Sequence, residues 1–118
     1  MNNIKDLRGY PYVLSWNEYL KTGIQRDEYQ TCKREGRYYA TLDCKRWGAD
    51  NGLYLFFTTN EGQKIFAGVW GYKNNNIELH FLDRIPMGSK LLLTFKKGKR
   101  KKETAYLKEV RVVNSIWL

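Results

Sequence analysis

The sequence predicts a mainly β fold with one short N-terminal helix, an α+β chain whose antiparallel meander closes or half-closes into a small barrel. Three observations predict it. From Arg37 onward apolar residues recur with a period of two. Turn residues interrupt that alternation at spacings of about 8–12 residues. No helical pattern separates one strand from the next, as a parallel sheet would require.

The 118 residues suit one domain, with a helix-containing segment, 1–36, packed on a sheet formed by 37–113. A domain of this length buries roughly two thirds of its unfolded surface and folds without staples. Within the N-terminal segment, Ser15-Trp16-Asn17-Glu18 reads as a capping box, in which Ser15 and Glu18 satisfy each other's backbone N–H groups. Leu14 and Tyr19 stand where a hydrophobic staple would, and Gly23 is placed to end the helix in the left-handed conformation. The helix is expected over Trp16–Thr22, with Trp16, Tyr19 and Leu20 as its apolar face. A helix so short depends on tertiary packing.

Six strands follow: Tyr38–Cys44, Leu53–Thr59, Lys64–Tyr72, Ile77–Leu82, Lys90–Lys96 and Thr104–Val113. The breaks carry turn chemistry at Asn60-Glu61-Gly62-Gln63, Lys73-Asn74-Asn75-Asn76, Pro86-Met87-Gly88-Ser89 and around Gly98. Alternation sorts the strand residues onto two faces. One holds Leu53, Leu55, Phe57, Ile65, Ala67, Val69, Ile77, Leu79, Phe81, Leu91, Leu93 and Phe95, and is the expected core. The other holds Tyr54, Phe56, Phe66, Trp70, His80, Leu92 and Thr94, and is too aromatic to be left in water. Either it is a platform for stacking bases, or the N-terminal helix or Ile116-Trp117-Leu118 covers it to make a second core.

Charge is the clearest functional signal. Lys and Arg number 21 against 12 Asp and Glu, a net charge of +9 that suits a polyanionic partner. The excess is local. Lys96-Lys97-Gly98-Lys99-Arg100-Lys101-Lys102 places six cations in seven residues between two strands, at an expected hairpin tip. Such a tip grips phosphates and releases counterions, and with no aromatic or polar base-reader it does so without reading sequence. The plainer reading is a solvated turn whose lysines discourage edge pairing. A second cluster interleaves cations with aromatics: Lys33, Arg34 and Arg37 before Tyr38-Tyr39, then Lys45-Arg46-Trp47. It suits phosphate contact beside base stacking, or equally a surface turn entering a strand.

Catalytic patterns are sparse. His80 is the single histidine and falls within an expected strand; Cys32 or Cys44 with it would make a nucleophile–base pair. Asp43-Cys44-Lys45 with Glu78 or Asp83 would suit a metal-dependent nuclease, but such tripeptides arise often by chance. Two cysteines and one histidine do not supply a four-ligand zinc site. No phosphate-binding glycine loop or serine-hydrolase elbow occurs. With no signal-peptide pattern and no apolar run of about 20 residues, a cytoplasmic chain with free thiols is expected, with no membrane partner and no cofactor. The expected function is a non-enzymatic module that binds DNA or RNA largely independently of sequence. The alternative is a small inhibitor or adaptor whose basic tip meets an acidic protein surface.

Overall fold

The computed structural model describes residues 13–48, 52–69, 79, 81–98 and 104–114. It is mainly β: helix α1 (Trp16–Leu20) is followed by strands β1 (Gln30–Thr31), β2 (Gly36–Trp47), β3 (Leu53–Thr59), β4 (Lys64–Val69), β5 (Lys90–Lys97) and β6 (Ala105–Asn114). The helix forms where its cap predicts. Glu18 N–H donates to Ser15 Oγ at 3.2 Å, and Ser15 N–H donates to Glu18 Oε1 at 2.8 Å. It stops two residues early because Thr22 N–H closes a tighter turn onto the Tyr19 carbonyl, which also accepts from the Thr22 hydroxyl at 2.7 Å. Gly23 then takes φ +78°, the left-handed conformation that ends the segment. Of the expected apolar face only Tyr19 is buried; Trp16 and Leu20 are 55% and 57% exposed.

The strands form one mixed sheet in the order β1-β4-β3-β2-β5-β6. This corrects the expected meander: β2, β3 and β4 follow one another antiparallel, but the chain then crosses over so that β5 pairs with the far side of β2. β1 adds a short parallel pairing to β4. The sheet is not closed, so the barrel is not established. The segment after β1 meets β6 through one backbone hydrogen bond, from Ala105 N–H to the Cys32 carbonyl at 2.7 Å.

The expected strand at Ile77–Leu82 is also corrected. Of that stretch Leu79, Phe81 and Leu82 are described: Leu79 is 3₁₀-helical, Phe81 lies in a turn, and Leu82 begins a 3₁₀ helix, Leu82–Arg84. Leu79, Leu82 and Ile85 are all buried, a spacing of three that fits the 3₁₀ repeat. The alternation of Leu79 and Phe81 resembled a strand because short apolar runs carry both periods. Ile77, Glu78 and His80 lie outside the described residues, as do Trp70–Tyr72, the Lys73–Asn76 turn and the C-terminal Ile116-Trp117-Leu118.

The inner face is the main core, and the sequence alternation places it well. Leu53, Leu55, Phe57, Ile65, Ala67, Val69, Leu79, Leu91, Leu93 and Phe95 are buried together, joined by Leu107 and Val110 of β6. A bulge complicates the pattern in β2. Leu42 pairs with Phe57 but Cys44 pairs with Phe56, so Asp43 is the extra residue and side-chain parity inverts beyond it. Cys44 therefore joins a second cluster on the outer face while Cys32 belongs to the first; both thiols are free and buried. Among the described residues no helix is long and apolar enough to cross a membrane.

Candidate functional site

The outer face of the sheet is divided into two halves. One half, over β3, β4 and the C-terminal part of β2, is roofed by the N-terminal segment. Leu14, Tyr19, Tyr29 and Met87 bury Phe56 and Cys44, with Tyr54 and Phe66 half-buried at the margin. Phe56 is 0% exposed, stacked on Tyr19 with centroids 5.5 Å apart and met edge-on by Tyr29 at 5.1 Å. Leu14 is fixed there by backbone: its N–H donates to the Lys45 carbonyl at 2.9 Å, and Trp47 N–H donates to its carbonyl at 3.0 Å. The expected platform of Tyr54, Phe56 and Phe66 is thus corrected to a covered second core, because a face so apolar gains more from burial than from exposure. Trp70 lies outside the described residues.

The cations of the covered half are turned to its rings. The Arg46 guanidinium lies 4.7 Å from the Tyr54 ring centroid and 4.9 Å from those of Trp16 and Tyr19. Arg26 lies 3.7 Å from that of Phe66. These stacks hold helix and sheet together. Tyr29 donates to Asp43 Oδ2 at 2.9 Å, and Thr58 donates to the same oxygen at 2.5 Å. Burial chiefly, and then the bond to Asp43, pushes the Tyr29 phenol well above its ordinary range.

Three residues expected to meet nucleic acid serve the fold instead. The bulge turns Lys45 inward, where it is fully buried and Nζ donates to the carbonyls of Leu82 and Ile85, pinning the 3₁₀ segment to β2. Trp47, also on the inner side, packs half-buried against the main core. Arg46 is committed to the aromatic stack. The Asp43-Cys44-Lys45 tripeptide therefore does not converge: Asp43 accepts from Tyr29 and Thr58 while Lys45 reaches across the inner face. Among the described residues no group of three His, Cys, Asp or Glu side chains is arranged to hold a metal.

The other half of the outer face, over β5, β6 and the N-terminal part of β2, is open. Register defines its rows. Tyr39 lies opposite Leu92, which lies opposite Arg111; Arg37 opposite Thr94, then Glu109; Thr41 opposite Lys90; and Lys96 opposite Tyr106. Tyr39 and Tyr106 are 54% and 51% exposed, and Arg37, Lys90, Lys96 and Arg111 are exposed beside them. Glu109 is the one acid in these rows, accepting from Arg111 Nε at 2.9 Å. Lys90 Nζ donates to Thr41 Oγ1 at 2.6 Å. Lys97, exposed at the end of β5, pairs with Ala105, so the basic connection does join two adjacent antiparallel strands. Lys99, Arg100, Lys101 and Lys102 lie outside the described residues.

Lys33, Arg34 and Arg37 line an open groove of about 810 Å³ between the start of β2 and the β1–β4 edge. Lys64, Glu28 and Glu61 also line it, so its charge is mixed, and Lys64 pairs with Glu28 at 3.4 Å. Arg37 belongs both to this groove and to the open face.

Tyr106, Lys90 and Arg111 were missed as site residues by sequence reasoning, and Tyr39 was noted only as a neighbour of the basic cluster. The signal that would have found them is alternation of cations with single aromatics along an outward-facing set. No protein-family model, no curated protein and no solved structure matches the chain.

Proposed function

We propose that this protein is a nucleic-acid-binding module that holds the phosphate backbone of DNA or RNA largely without regard to sequence. The observation that supports it most is the open half of the outer face, where Arg37, Lys90, Lys96 and Arg111 stand exposed against Glu109 alone. Along the chain, Lys96 leads through Lys97 and Gly98 to Lys99, Arg100, Lys101 and Lys102. Like charges gathered on one surface repel one another, and a polyanion removes that cost while releasing its own counterions. The groups on offer are ammonium and guanidinium donors, suited to phosphate oxygens and carrying no base code of their own.

The test is a salt titration of binding to single-stranded and duplex DNA and RNA, with an acidic polypeptide in parallel. Engagement of three to four phosphates gives a slope of log K against log salt of about −2 to −4. Absence of binding to every nucleic acid at low salt, with tight binding of the acidic polypeptide, would replace this reading with that of a module for acidic protein surfaces.

A further inference from the structure

The open face contains two aromatic rings that phosphate binding does not require. Tyr39 and Tyr106 are each about half exposed, whereas the other outward sheet aromatics among the described residues, Tyr54, Phe56 and Phe66, are buried or half-buried beneath the N-terminal segment. They lie on strands flanking β5, at rows set by Leu92 and Lys96. Strand spacing of about 4.8 Å and a rise of about 3.4 Å per residue put them about 16 Å apart. Cations surround both: Lys96 lies directly opposite Tyr106, Arg37 is two residues from Tyr39 on the same strand, and Arg111 shares Tyr39's row. Thr94 and Leu92 form a low, half-buried floor between them.

Resting on the nucleic-acid reading above, we infer that this face is a binding site for single-stranded nucleic acid. Tyr39 and Tyr106 stack unpaired bases, and Arg37, Lys96 and Arg111 hold the phosphates between. The chemistry discriminates against a duplex. A ring lying on a sheet surface offers its face only to a base whose own face is free, whereas duplex bases are stacked on one another and must be extruded first. Stacking on tyrosine is tolerant of base identity, since every base has a π-face, which agrees with cations that read no sequence. Charge complementarity calls for a polyanion, and a single strand supplies phosphates and a planar base at every nucleotide, the repeat that two rings about 16 Å apart among cations can use.

The experiment compares the full chain with Tyr39→Ala/Tyr106→Ala and with Tyr39→Phe/Tyr106→Phe. The probes are a fluorescent oligothymidylate, a duplex of equal length and polyglutamate, at matched salt. Wild type is expected to bind the single strand more tightly than the duplex. The double Ala variant should lose about 25-fold or more on the single strand, since each lost stack weakens binding by about 5- to 150-fold. It should change little on the duplex, and the double Phe variant, which keeps both rings, should bind like wild type. Thermal melts of both variants accompany the titrations, and a lowered melt in the Ala variant is resolved by the two single substitutions. Salt-dependent binding of both probes that the Ala variant leaves unchanged would overturn the stacking site while leaving the nucleic-acid reading intact. Failure of wild type to bind either nucleic acid would overturn both, and polyglutamate binding as tight as the single strand's would overturn the choice of partner.

Discussion

The two halves of the outer sheet face are built from similar residue types and have opposite fates. Over β3 and β4 the outward rings of Tyr54, Phe56 and Phe66 touch one another, Phe66 lying 5.3 Å from each of the other two, with Lys64 and the Arg46 of β2 at the margin. Over β5 and β6 the outward rows alternate Tyr39 and Tyr106 with Arg37, Lys90, Lys96 and Arg111. The first half draws down the N-terminal segment and buries Phe56 completely; the second stays open. Contiguity explains the difference. Adjacent rings form an apolar patch that water penalises in proportion to its area, whereas single rings set among cations are bordered by groups that keep their hydration. Aromatic content alone therefore does not decide whether a face stays exposed; whether the rings touch one another does.

Truncating one ring from each half should have very different consequences. Phe56→Ala removes a buried ring packed by Tyr19, Tyr29 and Phe66, and should cost about 3–5 kcal/mol in a denaturant melt. Tyr39→Ala removes a ring already half in water and should cost under about 0.5 kcal/mol. Equal losses would mean that the open half is covered in solution.

How much of this was legible in the sequence depends on the range of the interaction. The inner core followed from period-two alternation, and the capping box of α1 from a four-residue signature, because both are local. Of the outer face, Tyr54, Phe56, Phe66, Leu92 and Thr94 stand where alternation puts them, but whether the aromatic part is covered depends on where a segment some 35 residues earlier comes to rest. The bulge at Asp43 is a backbone event within an unbroken alternation, so nothing in Leu42-Asp43-Cys44-Lys45 announced that Lys45 would turn inward. Once inward, its buried ammonium is tolerable because the Leu82 and Ile85 carbonyls accept from it. The crossover from β4 to β5 was illegible for the same reason: strand order is a long-range choice, and a meander is merely the nearest one.

A smaller effect sharpens the account of the covered half. Tyr29 holds its proton more firmly in the folded protein than in the unfolded chain, where it ionises near 10.0. Its contribution to stability is full below that pH and is lost as pH rises above it, because the unfolded state then releases a proton that the folded state retains. Tyr29→Phe should lower stability at neutral pH by about 1 kcal/mol through loss of the bond to Asp43. It should also flatten the alkaline decline, measured as denaturant midpoint against pH; a decline of unchanged steepness would place its origin in other groups.

The central claim is that the open half, and not the covered half or the groove beside β1, meets the polyanion. Lysine acetylation footprinting with and without a single-stranded oligonucleotide reads this directly. Lys90 and Lys96 should become protected, while Lys21, on the covered side, and Lys64, paired with Glu28 in the groove, acetylate as before. Protection of Lys33 and Lys64 with Lys90 and Lys96 unchanged would contradict the account and move the binding surface to the groove.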